Sequence, residues 1–160
     1  MNKTLLVALG EGGHTKEMLT LVDMLGDDFS YAYVVVEDDP ISEKKIRRQG
    51  PVYRVRRPRD KAHNLLRDVY KFLQSARQSW RILRRVRPAA VLSTGPSVAV
   101  PICVLARLAG VRVIFVETGS RVTALSTTGR IMYRVAHLFF VQWPELIKDY
   151  PRAIYVGRLF

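Results

Sequence analysis

The sequence predicts an α/β fold in which a Rossmann-like, doubly wound parallel sheet forms a single domain over residues 1–160. Short β-rich runs alternate with segments of helical periodicity along the whole chain, which is typical of parallel strands joined by crossover helices. The run Tyr31–Val36 is apolar throughout, as expected of a strand buried on both faces of a sheet. A chain of 160 residues is long enough for one hydrophobic core and too short for two ordinary domains.

The predicted strands are short runs rich in β-branched and aromatic residues, bounded by residues that favour turns. Gly10 to Gly13 form a tight turn after the first strand, and Asp38-Asp39-Pro40 ends the second. We predict seven strands: Leu5–Leu9, Tyr31–Val36, Val52–Val55, Ala89–Leu92, Val111–Val116, Leu138–Val141 and Ala153–Val156.

The predicted helices have apolar residues at intervals of three and four. In the first helix, Met18, Val22 and Leu25 share one face. Pro88 ends the longest helix, because the residue before a proline avoids helical geometry, and Gly110 closes the next one. We predict five helices: His14–Leu25, His63–Val86, Ser97–Ala109, Gly129–Ala136 and Pro144–Asp149.

The chain is strongly basic, with 26 Lys and Arg against 14 Asp and Glu and a formal net charge of +12. This charge indicates an anionic partner or surface, and nucleic acid, anionic lipid and phosphorylated substrates all fit its sign. Cys103 is the one cysteine, so no internal disulfide is possible. We expect Cys103 to be a small buried residue, and the reducing cytoplasm to be the natural compartment.

The apolar stretches of the chain are not expected to cross a membrane. The run Leu5–Leu9 is too short for a span or for a signal-peptide core, and Val98–Val111 contains Pro101 and Arg107. The sequence therefore predicts no transmembrane segment, and any membrane contact is expected to be peripheral.

Three segments of unusual composition follow predicted strands, at the edge where open parallel sheets bind ligands. The first is Gly10-Glu11-Gly12-Gly13-His14-Thr15. It is not the dinucleotide fingerprint, which requires glycine where Thr15 stands, nor a P-loop. Gly12, Gly13 and Thr15 at the helix start are candidates for phosphate binding, and His14 is a candidate general base. The alternative is a plain tight connection between strand and helix.

The second and third segments carry hydroxyls, glycines and charges. In Ser93-Thr94-Gly95-Pro96-Ser97, the residues Thr94, Gly95 and Ser97 could hold a phosphate or a sugar, and the alternative is helix capping by Thr94 or Ser97. In Glu117-Thr118-Gly119-Ser120-Arg121, the carboxylate of Glu117 falls at the ligand-binding edge, and Arg121 could pair with it or bind a phosphate. A structural ion pair is the alternative there.

The longest predicted helix is basic and contains a tryptophan, Trp80. Basic amphipathic helices of this kind associate with anionic lipid surfaces, and the alternative is a solvated face. One stripe of this helix is formed by Arg67, Lys71, Gln74, Gln78, Arg81 and Arg85.

Taken in order, these segments resemble a known family, the acceptor-side subunits of split glycosyltransferases, of the bacterial PssD and eukaryotic ALG-fourteen types. The resemblance runs through most of the chain. It rests on Gly12-Gly13-His14-Thr15 with Glu17-Met18-Leu19, Thr94-Gly95-Pro96, Phe115-Val116-Glu117 with Arg121-Val122, Leu125-Ser126-Thr127-Thr128-Gly129-Arg130, Val141-Gln142-Trp143-Pro144, and Tyr150-Pro151 through Tyr155-Val156-Gly157.

The resemblance implies a single domain similar to the N-terminal half of GT-B glycosyltransferases such as MurG. It implies an enzyme subunit that is active only with a separate donor-binding chain, of the PssE or ALG-thirteen type. The donor would be a UDP-sugar and the acceptor a sugar linked through pyrophosphate to a polyprenyl lipid at the cytoplasmic membrane face. Transfer would be inverting, without a bound metal or other cofactor, and nucleic acid is not an expected partner.

Within this resemblance His14 is the first candidate for the catalytic base, and Glu117 is the second, as base or as the group that orients the acceptor sugar. Thr94, Gly95 and Arg121 would hold acceptor sugar or pyrophosphate. Members usually have Ser where this chain has Glu11, and a carboxylate there would repel a pyrophosphate, unless Glu11 is itself part of the catalytic apparatus. The eukaryotic members also carry an N-terminal membrane anchor, which this sequence is expected to lack.

Three alternatives belong to other classes of protein. An NAD-type oxidoreductase would require the glycine fingerprint that the first segment does not match. A nucleic-acid-binding module is favoured by charge alone, and its binding would fall steeply with salt. A structural recruiter would leave all the chemistry to the partner.

Overall fold

The computed structural model describes residues 2–10, 12–58 and 65–159, apart from the side chains of residues 65–67. The strands are β1 (Thr4–Ala8), β2 (Ser30–Val36), β3 (Val52–Val55), β4 (Ala90–Ser93), β5 (Arg112–Val116), β6 (Leu138–Val141) and β7 (Ile154–Tyr155). The helices are α1 (Gly13–Leu25), α2 (Pro40–Lys44), α3 (Leu65–Val86), α4 (Ala99–Leu108), α5 (Thr127–Val135) and α6 (Leu146–Asp149).

The strands form one parallel sheet in the order β3-β2-β1-β4-β5-β6-β7. β1 lies near the centre, with Leu6 beside Ala32 of β2 on one side and Val91 of β4 on the other. The chain winds from β1 outward to β3 and then, from β4, outward to β7. Because the strands are parallel, all their carboxyl ends lie at one edge, and the loops after β1 and β4 meet where the winding changes direction.

Both faces of the sheet are apolar. Leu5 and Val7 of β1 pack with Met18 of α1 on one face, and Leu6 of β1 packs on the opposite face in the same cluster as Ile102 of α4. α3 contacts α4, and α4 contacts α5, so these helices form a layer on that second face. This arrangement confirms the predicted doubly wound α/β fold.

The α1 side of the sheet carries an apolar groove over β4, β5 and β6. It has a volume of about 520 Å³ and is lined by Leu92, Ile114 and Phe140, among others, with Val156 and Leu159 after β7 at its border. Parallel sheets are normally covered on both faces. The groove is therefore a surface that a further element can cover.

The element boundaries depart from the predicted ones by a few residues, and one helix was not predicted. α2 begins at Pro40, where the side chain of Asp39 accepts hydrogen bonds from the N–H groups of Ile41 and Ser42 at 3.2 and 3.1 Å. Such a cap stabilises a single helical turn that is too short to show periodicity. The predicted start of the longest helix, at His63, lies outside the described residues.

Two further expectations concern Cys103 and the membrane. Cys103 is buried in α4, as predicted, and burial raises the pKa of its thiol to about 12. In the part of the chain that the structure describes, no helix combines the length and the apolar character needed to cross a bilayer.

Candidate functional site

The first loop joins β1 to α1 and leads to an exposed helix N-terminus. Gly12 has a φ of 62°, a conformation that favours glycine. Among the described residues no side chain caps α1 at this end, and both Gly12 and Gly13 are exposed. Exposed N–H groups at a helix N-terminus can attract an anion, and phosphate binding at this one stays a prediction. Glu11 lies outside the described residues.

Thr15 does not share this exposure. Its side chain is fully buried, its hydroxyl donates to the carbonyl oxygen of Gly10, and it lies 2.7 Å from the hydroxyl of Ser42. Ser42 is in turn hydrogen-bonded to Asp39. This corrects the predicted role of the Thr15 side chain, which holds the first loop in place and does not face an acceptor.

His14 lies in the first turn of α1, beside the second loop. Its ring is partly buried and packs against Gly95, where an added Cβ would lie 3.3 Å from the ring atom Cε1. Its Nδ1 atom is buried and has no hydrogen-bond partner among the described residues. The role of His14 as general base stays a prediction.

The second loop joins β4 to α4 and supports His14. Thr94 is buried, and its hydroxyl donates to the backbone carbonyl oxygen of His14 at 2.9 Å. Gly95 has a φ of 98°, so a side chain at this position would be strained as well as crowded by the His14 ring. Ser97 is exposed. The capping alternative is wrong, since α4 begins after Val98 with no side-chain hydrogen bond at its cap.

The third loop, from β5 to α5, contains Glu117, which is 0% exposed. Its carboxylate accepts hydrogen bonds from the N–H of Thr118 at 3.1 Å, the N–H of Ser126 at 3.1 Å and the Ser126 hydroxyl at 3.0 Å. Burial raises the pKa of Glu117, and the bonds from Ser126 and Thr118 oppose that rise. Glu117 therefore holds the N-terminus of α5. This burial does not fit the predicted contact of Glu117 with the acceptor, either as a base or as the group that orients the acceptor sugar.

Arg121 lies in the same loop and is exposed. The described residues provide no carboxylate in ion-pair contact with it, so the alternative of a structural pair with Glu117 is not found. The positive charge of Arg121 lowers the pKa of Glu117, but this effect is smaller than those of burial and of the hydrogen bonds from Ser126 and Thr118. Phosphate binding by the exposed guanidinium stays a prediction.

Two buried polar residues in this region were not predicted as site residues. Glu17 and Gln142 are each 3% exposed. Oε1 of Glu17 accepts hydrogen bonds from the N–H of Gly119 at 2.7 Å and the hydroxyl of Thr118 at 3.1 Å. Gln142 donates to the carbonyl oxygen of Glu117 at 3.1 Å. The sequence carried one signal for Glu17. It lies four residues before Leu21, so its charged side chain falls on the apolar face of the first helix.

The basic stripe predicted on α3 is only partly exposed. Arg81, Arg85 and Trp80 are exposed, as expected. The middle of the stripe instead contacts the segment after β3, where the N–H of Arg56 donates to Gln78 at 2.9 Å. Of the other residues predicted to face the membrane, Lys71 is partly buried, and the side chain of Arg67 lies outside the described residues.

No group of three or more His, Cys, Asp or Glu side chains is arranged to hold a metal ion within the described ranges.

Comparisons with known proteins identify the family. The family model described as "Oligosaccharide biosynthesis protein Alg14 like" matches residues 5–159. The UDP-N-acetylglucosamine transferase subunit ALG14 of Rattus norvegicus is 36% identical over 177 residues, which cover 97% of this chain and 82% of that protein. The Homo sapiens protein of the same name is 34% identical, with 98% of this chain and 82% of that protein covered.

Solved structures share the fold at lower identity. MurG of Acinetobacter baumannii superposes with a TM-score of 0.74 at 19% identity, covering 99% of this chain and 44% of that protein. The UDP-GlcNAc 2-epimerase of Methanocaldococcus jannaschii gives a TM-score of 0.72 at 12% identity, with 97% and 45% covered. The chain spans less than half the length of these proteins, and at such identities the likeness shows the fold alone. The family match over nearly the whole sequence, with relatives above 30% identity, shows that the chain belongs to the Alg14 family.

Proposed function

We propose that this chain is the acceptor-side subunit of a two-chain inverting glycosyltransferase. With a separate donor-binding subunit, it transfers GlcNAc, or a related hexose or uronic acid, from a UDP-sugar to a sugar linked through pyrophosphate to a polyprenyl lipid. The observation that carries the proposal is that loops one and two of an Alg14-family chain meet around His14 at the ligand-binding edge of the sheet. The relatives are named UDP-N-acetylglucosamine transferase subunits, so UDP-GlcNAc is the first donor to test.

The reaction requires a base at this edge. The acceptor hydroxyl loses its proton as its oxygen bonds to the anomeric carbon, and the bond from that carbon to the UDP oxygen breaks, so that UDP leaves with the electron pair. His14 takes the proton in this proposal, because its imidazole lies in the first turn of α1, beside the second loop, where the first two loops meet. Thr94 fixes the backbone that carries the imidazole.

The acceptor's pyrophosphate would be bound by positive potential rather than by a metal ion. The exposed N-terminus of α1 at Gly12 and Gly13 supplies N–H groups, and Arg121 supplies a guanidinium. Gly95 and Ser97 would line the sugar. Glu117 and Thr15, both buried, would act by holding the loops in position.

The donor would be held mainly by the partner subunit. We propose that this partner, with a GT-B C-terminal type of fold, also covers the apolar groove over β4, β5 and β6. This groove is the favoured partner interface because a parallel sheet left open on one face exposes apolar surface to water. Val156, at its border, is 77% exposed.

We further propose that α3 holds the complex on the cytoplasmic face of an anionic membrane as a peripheral protein. Val69, Phe72, Leu73 and Trp80 recur at helical spacing and are between 41% and 61% exposed. Beside this apolar stripe lie exposed arginines, among them Arg77, Arg81, Arg84 and Arg85. An apolar stripe flanked by arginines suits the boundary between lipid headgroups and acyl chains.

The position of α3 supports this role. α3 follows β3, so its N-terminal half lies at the carboxyl edge of the sheet, where Gln74 accepts a hydrogen bond from the Arg56 side chain at 3.1 Å. The exposed apolar stripe therefore begins at the same edge as the loops that would bind the acceptor. Lipid contact and acceptor capture would occur on one side of the molecule.

The test of the proposal measures transfer from UDP-GlcNAc by this chain and its donor-binding partner. The acceptor is presented either in anionic vesicles or as a short-chain, water-soluble analogue. The double variant Arg81→Glu/Arg85→Glu should lower transfer to the vesicle-borne acceptor by about tenfold or more, since each basic residue near an anionic surface contributes about 1 kcal/mol. Transfer to the soluble acceptor should remain unchanged.

The matched control is Arg107→Glu/Arg134→Glu, which makes the same change of charge at exposed positions on α4 and α5. An equal loss in the control, or in transfer to the soluble acceptor, would contradict the membrane role of α3. Absence of transfer by the wild-type pair with every acceptor and UDP-sugar would contradict the proposed function itself.

A further inference from the structure

The third loop is attached to α1 by one buried carboxylate oxygen. Glu17 lies three residues after His14 and is 3% exposed. Its Oε1 atom accepts the N–H of Gly119 at 2.7 Å and the hydroxyl of Thr118 at 3.1 Å. The loop that carries Arg121 is thus fixed to the helix that carries His14.

The attachment is reinforced from the opposite side of the loop. The carbonyl oxygen of Gly119 accepts a hydrogen bond from the indole N–H of Trp143 at 2.7 Å, and Gln142 donates to Oε1 of Glu17 at 3.4 Å. A Cβ on Gly119 would lie 3.3 Å from oxygen atoms of both Glu17 and Gln142. The backbone of Gly119 is therefore held at both its N–H and its C=O, with little room to shift.

Only one oxygen of the Glu17 carboxylate makes these bonds. The other, Oε2, is buried and has no hydrogen-bond partner in the part of the chain that the structure describes. A group that takes a proton from a substrate needs a carboxylate that the substrate can reach, and Glu17 is enclosed. A group that holds a loop needs one acceptor oxygen, which an amide also provides.

We propose that Glu17 is a positioning residue of the acceptor site, which fixes the third loop and its Arg121 relative to the His14 loop. The inference rests on the proposed function for its kinetic consequence. Loosening this loop weakens the binding of the acceptor pyrophosphate equally in the ground state and the transition state, which raises the acceptor KM and leaves kcat nearly unchanged. Donor binding is unaffected, because the donor lies mainly on the partner.

The experiment compares Glu17→Ala with Glu17→Gln in the complex with the partner. Glu17→Ala should raise the acceptor KM by about tenfold or more, with kcat and the KM for UDP-GlcNAc within about threefold of wild type. Glu17→Gln retains an oxygen at the position of Oε1 and should stay within about threefold in all three parameters. Glu145→Ala, which removes an exposed carboxylate elsewhere, is the matched control.

Amide hydrogen exchange at Gly119 provides a readout that does not depend on catalysis. The Gly119 N–H should be protected in wild type and in Glu17→Gln, and should exchange faster in Glu17→Ala. If the Gly119 N–H exchanges faster in Glu17→Ala but the wild-type complex transfers no sugar, the attachment by Glu17 is supported and the proposed function is contradicted. Equal loss of activity in Glu17→Gln and Glu17→Ala, or an unchanged acceptor KM in Glu17→Ala, would overturn the positioning role.

A third variant keeps the test decisive if Glu17→Ala fails to fold. Thr118→Val preserves the size of the side chain and removes the hydroxyl that donates to Glu17. It should raise the acceptor KM by roughly threefold or more and leave kcat unchanged. An unchanged acceptor KM in this folded variant would overturn the inference.

Discussion

His14→Ala, assayed with the partner subunit present, is expected to transfer sugar about 10²–10⁴-fold more slowly than the wild-type chain, the usual contribution of a general base. The loss should appear in kcat. The imidazole would act on the acceptor hydroxyl only as the proton leaves, and the first two loops would still bind the acceptor. The side chain packs against Gly95 at the surface edge of the sheet, so its removal should leave the fold and the partner interface intact.

His137→Ala is the matched control for this experiment. His137 is exposed, and its Nδ1 accepts a hydrogen bond from the N–H of Val113 at the opposite edge of the sheet, away from the three loops. Its replacement should leave transfer near the wild-type rate. A His14→Ala rate within about threefold of wild type would be inconsistent with general-base catalysis by His14. That result would instead support a recruiter whose partner carries out all the chemistry.

Gly129→Ala is expected to lower the free energy of unfolding by roughly 2–4 kcal/mol, although the same change in an exposed helix normally stabilises by up to about 1 kcal/mol. A Cβ at Gly129 would overlap Oε2 of Glu117, and lies 3.0 Å from the hydroxyl of Ser126. The carboxylate would have to move and release its bonds from Ser126, inside a site with no solvent to replace them. Urea unfolding of both proteins measures the difference.

A double-mutant cycle separates this clash from a general effect on α5. In a Glu117→Ala background the overlapping carboxylate is absent, so Gly129→Ala should cost much less than in the wild-type background. Gly13→Ala is the control for a glycine with open space around it, and it should change stability by less than about 1 kcal/mol. If Gly129→Ala stabilises the wild-type chain, the packing of Glu117 against α5 described above is wrong.

The sequence predicted the fold well because strand position depends on local pattern. The seven strands were found at apolar runs such as Tyr31–Val36, and the order of strands and helices indicated a doubly wound sheet. The prediction missed α2, whose stability comes from the Asp39 side chain and not from periodicity. Residue types at strand ends identified the three loops, since ligand-binding residues concentrate there in open parallel sheets.

The sequence could not show which way each polar side chain faces. Glu117 follows a strand, as a catalytic carboxylate would, and is enclosed by Ser126 from nine residues further along the chain. Thr15 stands in a glycine-rich loop and is bonded to Ser42. Glu17 lies on an apolar face and contacts a loop about one hundred residues away. These outcomes depend on long-range contacts, which only the folded chain defines.

The most direct test of the claim that this chain is one half of an enzyme is a mixing experiment. Transfer of GlcNAc from UDP-GlcNAc to a polyprenyl-pyrophosphate-linked sugar is measured for this chain alone, for the donor-binding partner alone and for the two together. We expect no transfer by either chain alone and transfer by the mixture, with the rate saturating as the partner is added. Sustained turnover by this chain alone would contradict it.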